Sequence, residues 1–165
     1  GVATTVVDHT LYESREAFDA ALAEAVKQDN PDVVVLAGFM RILTPVFIDA
    51  FAGKLVNVHP SLLPNYPGLN THQRAIDNRD KEAGATVHYV TNELDGGPPI
   101  LQVSVPIESG DDAESLAARI LDFEHVIFPE AVNWHLQGRL VHEADGAYLD
   151  SKKLPPTGTL WEWQA

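Results

Sequence analysis

Apolar residues recur along this chain in two rhythms, and the alternation between them predicts strands and helices in turn. Val2, Val6 and Val7 predict a strand already under way at residue 2. Beyond Ser14, a helix-capping residue, Ala17, Phe18, Ala21, Leu22, Ala25 and Val26 return every three or four positions and share one helical face. Asn30-Pro31 ends that helix, because the residue before a proline disfavours helical backbone. Val33 to Ala37 is short and apolar at every position, the pattern of a parallel strand buried on both faces. Gly38 closes it, Phe39 to Leu43 form the following loop, and Thr44 and Pro45 open a second helix that Gly53 ends.

Leu55 to Val58 is another short apolar strand, and it runs directly into His59-Pro60. Three prolines and one glycine between Pro60 and Gly68 make that segment an ordered loop. A third helix covers His72 to Asn78, and strands are expected over Ala85 to Val90 and Pro99 to Val105, joined through Asp95-Gly96-Gly97. Ser109 and Asp112 have the spacing of a capping box. They precede a long helix whose stripe is Leu116, Ile120, Phe123, Ile127, Ala131 and Trp134, with a kink expected at Pro129. Gly138 ends it, and Arg139 to Leu154 reads as two strands around a turn near Asp150-Ser151. The expected class is α/β: a mostly parallel sheet with helices on both faces and an added antiparallel hairpin.

At 165 residues the chain is one domain, and 45% hydrophobic with 21% charged residues excludes a disordered or low-complexity polypeptide. Eleven Lys and Arg against 24 Asp and Glu give a formal charge of −13, which argues against a nucleic-acid or anionic-membrane partner. One phosphate in a local pocket is still compatible with that balance. The absence of cysteine removes disulfides, thiolate nucleophiles and Cys-based zinc sites, and fits a cytoplasmic enzyme. No apolar run approaches the ~20 residues of a membrane span, and Gly1 to His9 has neither a basic region nor a signal core.

Ligands of open α/β sheets lie beyond the carboxyl ends of the strands, which directs attention to the loops after Ala37 and Val58. Residues two apart on a strand face one side, so Asn57 and His59 can offer an amide donor and an imidazole to the same space. Such a pair suits a reaction that passes through an oxyanion, and the imidazole can also move a proton. The plain alternative is an Asn in a turn and a His capping a strand. Leu94-Asp95-Gly96-Gly97-Pro98 likewise reads either as a tight turn or as a carboxylate that favours the charged form of His59. Spacing alone does not bring the two together. His88 on its strand reads as a hydrogen-bonded core imidazole that could support a site wall. His9, His72, His125, His135 and His142 form no zinc-binding pattern, and Asp111, Asp112 and Glu114 suit a helix start, where the dipole favours carboxylates. Trp134, Trp161 and Trp163 read as packing residues.

Ala37 to Leu43, Asn57 to Gly68 with Thr71-His72, and Glu93 to Pro98 together closely resemble the phosphoribosylglycinamide formyltransferases, folate-dependent enzymes of purine synthesis. The likeness continues through Glu124-His125 and Pro129 to Leu154-Pro155-Pro156. It implies a Rossmann-like formyltransferase fold, a single domain over residues 1–165, and catalysis by Asn57, His59 and Asp95. The co-substrate it implies is 10-formyltetrahydrofolate, whose formyl carbon is attacked by the amine of glycinamide ribonucleotide, with no covalent enzyme intermediate and no metal. It further implies folate contacts from Arg15, Met40, Arg41, Ile42, Leu43, Asn57 and the run Thr91, Asn92, Glu93, Leu94 and Asp95. Pro60, Ser61 and Glu124 fall to the nucleotide. A formyltetrahydrofolate hydrolase, or an inert folate-binding chain, are the competing readings. The family's chain opens with a strand and a glycine-rich turn that hold phosphate, and no Gly-x-Gly lies near the start here. Gly1 matches a position roughly two βα units of ~30 residues into that pattern, so the expectation is a carboxyl-terminal portion.

Overall fold

The Ser14 hydroxyl accepts the amide of Ala17 at 3.1 Å and starts α1 (Arg15–Lys27), satisfying an amide that every helix start leaves without an intrahelical partner. In this computed structural model, which describes residues 1–162, a 3-10 turn at His9–Leu11 precedes α1. After it come β1 (Val34–Leu36), α2 (Pro45–Ala50), β2 (Leu55–His59), α3 (Thr71–Asp77), β3 (Glu82–Tyr89) and β4 (Pro99–Pro106). The chain continues through α4 (Ala113–Leu136), β5 (Leu140–Glu143), β6 (Gly146–Leu149), β7 (Lys152–Lys153) and β8 (Thr159–Leu160).

The main sheet has the order β1-β2-β3-β4-β8, and β5-β6-β7 form a separate antiparallel sheet. β1 and β2 are parallel, as expected for strands joined through a helix, and β4 and β8 are also parallel. β3 pairs antiparallel with both β2 and β4, so the sheet is mixed.

Leu55 and Val56 show how the layers are built. Both are fully buried, and as consecutive strand residues they point to opposite faces. Leu55 packs with Ala23 of α1, Phe47 and Ile48 of α2, and Phe51 just beyond it. Val56 packs with Val87, Leu101 and the α4 residues Leu116, Ile120 and Ile127. Helices therefore cover both faces. Each such Leu or Ile contributes about 1.5–3 kcal/mol on burial, which is why α4 is held along its length.

Several sequence expectations are corrected. Val2 and Val6 are 92% and 90% exposed, and residues 1–8 form no strand; no neighbouring strand is hydrogen-bonded to them among the described residues. β1 is not buried on both faces: Val34 and Leu36 pack toward α1 and α2, whereas Val35 is 41% exposed, because α4 packs on β2, β3 and β4 and leaves this outer strand bare. The capping box of α4 is Asp112 with Ser115 rather than Ser109 with Asp112. Asp111 instead pairs with Arg119, which holds its carboxyl down at about 2. α4 carries Pro129 inside its span, as the sequence places it. The tail has three strands and not two: Asp150 and Ser151, at φ 50° and 66°, turn β6 into β7, and a further turn at Ala144-Asp145 joins β5 to β6. Trp134 and Trp161 pack against the α4 core, and Trp163 lies outside the described residues.

Candidate active site

β2 and β3 are paired so that Asn57 stands opposite His88 and His59 opposite Thr86, and β4 places Gln102 opposite Thr86. Directly opposed residues share a face. The result is a polar field on the side of the sheet turned away from α4, flanked by the apolar positions Val56, Val87, Tyr89 and Leu101 of the other side.

His88 is almost fully buried, and its two ring nitrogens have different partners. Nδ1 lies 3.0 Å from the Tyr89 carbonyl, which can only accept, so Nδ1 carries the proton. Nε2 then accepts from the Asn57 amide nitrogen at 3.3 Å. Burial pushes the His88 pKa down to about 4, against a smaller upward pull from the Tyr89 carbonyl and Asp95. A neutral His88 thus fixes which way the Asn57 amide points and leaves its second N–H free.

His59 ends β2, with Nε2 2.9 Å from the Tyr66 carbonyl and Nδ1 3.6 Å from Asp95 Oδ2. The carbonyl makes Nε2 a donor, and Nδ1, beyond hydrogen-bond distance from the carboxylate, is the nitrogen with room to engage a ligand. Asp95 reaches this point because the chain doubles back after β3: Tyr89 N–H donates to the Pro98 carbonyl, and Asp95 sits at φ 51°. A non-glycine residue in left-handed backbone at a polar cluster is a form of strain commonly held at functional sites. Its Oδ2 also accepts the Gly68 amide at 2.8 Å, and its Oδ1 lies 4.0 Å from His88 Nε2. Asn57, His59 and Asp95 are therefore brought together, two of them through His88.

Glu124, on α4, is half-buried; burial raises its pKa, and His125 and His59 offset part of that rise. Pro60 and Ser61 follow His59 directly. The Pro60 carbonyl accepts from the Thr71 hydroxyl of α3 at 2.5 Å, and the buried Ser61 hydroxyl donates to the Asn65 carbonyl of its own loop at 2.6 Å.

The loop after β1 divides. Met40 and Ile42 are 83% and 62% exposed, whereas the Leu43 side chain is buried with α1 and α2 and faces away from solvent. Arg41 lies over the Phe18 ring at 5.0 Å, and Arg15 donates to the Ile42 carbonyl. Asp19 accepts both the amide and the hydroxyl of Thr44, at 2.6 and 2.7 Å. Of the second loop, Thr91 is half-buried, Asn92 donates to Asp49 at 2.9 Å, and Glu93 and Leu94 are exposed. His88 is the hydrogen-bonded core imidazole at the site wall that its strand position predicts, whereas Tyr66 and Gly68, whose contributions are backbone atoms, carry no sign in the sequence. The polar alternation Thr86-Val87-His88 within an apolar strand was the readable sign of the first.

No helix among the described residues is long and apolar enough to cross a membrane, and no group of three or more His, Asp or Glu side chains among them could hold a metal ion.

An amide, an imidazole and a carboxylate gathered beside the carboxyl end of β2 give this α/β protein a cluster that could stabilise an oxyanion and move a proton. The chain belongs to the formyl transferase family, whose model matches residues 1–132. It is 50% identical over 158 residues to phosphoribosylglycinamide formyltransferase of Escherichia coli, covering 96% of this chain and 74% of the relative. It is 49% identical to the enzyme of that name from Haemophilus influenzae, of which it spans 66%, just under two thirds. The solved phosphoribosylglycinamide formyltransferase of Coxiella burnetii superposes with a TM-score of 0.90 at 40% identity, over 95% of this chain and 74% of that one.

Proposed function

We propose that this chain carries the formyl-transfer site of a phosphoribosylglycinamide formyltransferase, with 10-formyltetrahydrofolate as donor and the amine of glycinamide ribonucleotide as acceptor in purine biosynthesis. The observation that carries the reading is the convergence of Asn57, His59 and Asp95, with one Asn57 N–H uncommitted and His59 Nδ1 3.6 Å from Asp95, short of a hydrogen bond. The amine nitrogen attacks the formyl carbon and the carbonyl oxygen becomes an oxyanion. The free Asn57 N–H and the protonated His59 Nδ1 stabilise it, each fixed donor of this kind being worth about 3–4 kcal/mol to the transition state. The carbon–nitrogen bond to the folate then breaks, and the proton lost by the amine passes through water beside Asp95 to the departing nitrogen. Asp95 supports the charged His59. The exposed Met40 and Ile42, with Arg15, Arg41, the Leu43 backbone and Thr91 to Asp95, form the folate side. Pro60, Ser61 and Glu124 form the nucleotide side, where Glu124 accepts from ribose hydroxyls.

The test is release of tetrahydrofolate by the purified chain with and without the amine nucleotide. Release that requires the amine, with formyl recovered on it, supports transfer. Equal release without the amine makes the chain a hydrolase. Calorimetric binding of a folate analogue with no turnover makes it a folate-binding chain, and either outcome overturns the proposal.

A further inference from the structure

Two buried polar side chains share the sheet face of this site but bond to a neighbouring loop. Thr86 is fully buried in β3, and Gln102, its partner across β4, is 7% exposed. The Thr86 hydroxyl donates to the Ser61 carbonyl at 2.7 Å and accepts from the Leu63 amide at 3.0 Å and the Gln102 amide nitrogen at 2.9 Å. One donor and two acceptor positions are all that a hydroxyl has, so this one is saturated. Gln102 spends its second N–H on the Leu63 carbonyl at 2.8 Å. Polar groups in a sheet interior usually satisfy each other or the sheet; these satisfy three backbone atoms of a loop.

That loop is the segment that turns back to His59. Ser61 N–H donates to the His59 carbonyl at 2.8 Å, Asn65 N–H to the Leu62 carbonyl at 3.0 Å, and the next residue, Tyr66, presents the carbonyl that fixes His59 Nε2. The Tyr66 carbonyl is placed by the path of residues 61–65, and Thr86 and Gln102 anchor that path from below. Leu62 adds an apolar contact, its side chain 2.7 Å from where a Cβ on Gly84 would stand. We propose that Gln102 and Thr86 are positioning residues for the formyl-transfer reaction: through residues 61–63 they hold the Tyr66 carbonyl that orients the His59 ring. The proposal rests on the reading of His59 as catalytic, and its main consequence, the ring orientation, is measurable without turnover.

The cost of losing such support is one of geometry, since a catalytic group displaced by a fraction of an ångström loses rate while ligand contacts elsewhere persist. Thr86→Val keeps the shape and removes the hydroxyl; Thr86→Ser keeps the hydroxyl; Gln102→Met keeps the length and removes both donors. Thermal denaturation establishes that each is folded, and nitrogen-resolved NMR reads the His59 ring. Expected is an Nε2–H signal of His59 that shifts in Thr86→Val and Gln102→Met and stays in place in Thr86→Ser. In turnover, kcat falls at least tenfold in the first two with KM for either substrate within about threefold, and Thr86→Ser is restored to near wild type. Should Thr86→Val not fold, Gln102→Met decides, because the Thr86 bonds to Ser61 and Leu63 survive in it. A folded Gln102→Met with the wild-type His59 signal overturns the proposal. An inactive wild type that still shows these ring shifts overturns the formyl-transfer reading alone.

Discussion

Replacing His88 by Gln should flatten one component of this protein's acid sensitivity, by an amount the structure supplies. His88 is buried and neutral, donating from Nδ1 to the Tyr89 carbonyl and accepting from Asn57 at Nε2. Its pKa is lowered from 6.5 to about 4, mainly by burial. An unfolded chain therefore takes up a proton at His88 on acidification before the folded one does. Stability from this group is fully present above 6.5, falls as the pH drops toward 4, and then levels off. At about 1.4 kcal/mol per pKa unit, the loss is on the order of 3 kcal/mol, a large part of a domain's total. His72 and His142, whose pKa values burial also lowers, add to the same trend. They are present in both proteins and cancel in the comparison. The assay is urea denaturation of wild type and His88→Gln at half-unit steps from pH 7.5 to 4. The difference in unfolding free energy between them should shrink or reverse toward low pH by about that amount. Two parallel curves would refute the account of His88 as a buried neutral imidazole.

Three further outcomes follow from single contacts. Asp95→Asn retains an oxygen for the Gly68 amide but removes the charge beside His59, so kcat is expected to fall about 10²–10³-fold with folate binding within a few-fold by calorimetry; unchanged kcat removes Asp95 from the mechanism. Gly97→Ala places a Cβ 1.8 Å from the Tyr89 carbonyl oxygen, so the return of the chain after β3 has to shift; thermal denaturation should show a loss of about 2–4 kcal/mol, and a wild-type melting temperature would contradict the close packing. Asp19→Ala strips the buried Thr44 amide and hydroxyl of their acceptor, for an expected cost of about 1–3 kcal/mol in denaturant unfolding, with a higher folate KM because the Met40 to Leu43 loop loses its tie to α1; a change below experimental error would place Thr44 on another acceptor.

What the sequence revealed follows from how local each signal is. α1 and α4 were legible because their stripes repeat over three or more turns; capping marked the start of α1 at Ser14 but placed the start of α4 three residues early. β2 was legible as an apolar run, and Asn57 with His59 followed from strand alternation alone. The same kind of run misled at β1. Val33 to Ala37 shows that these residues tolerate burial on both sides, but whether the second side is covered depends on α4, about 80 residues away, which packs mainly on β2, β3 and β4, so that Val33 is partly covered while Val35 stays 41% exposed. β7 and β8, two residues each, are set by partners and carry no periodicity of their own. Asp95 lay in a motif that a tight turn explains equally well. Its approach to His59 requires the chain to reverse after β3, and no spacing encodes that. Thr86 and Gln102 were silent for a further reason: their partners are the main-chain atoms of residues 61 and 63, which any side chains there would present.

The core and the site are fixed by one register. In β2 the even positions Val56 and Val58 belong to the α4 side, and the odd positions Asn57 and His59 to the other. In β3 the apolar set Ala85, Val87 and Tyr89 faces α4, and Thr86 and His88 face away. Because side chains alternate with a period of two, a slip of either strand by one residue would drive Asn57 and His59, or Thr86 and His88, into the α4 core and carry their apolar neighbours out. Burying even one such group without its hydrogen bonds costs about 1–3 kcal/mol, and the apolar neighbours on the slipped strand would lose their packing at the same time. Leu116, Ile120 and Ile127, fully buried on the opposite side of the sheet, therefore help to hold the polar field in place. Substitutions that loosen α4 should lower stability and catalytic precision together, whereas substitutions confined to the polar face, such as Asp95→Asn, should separate the two.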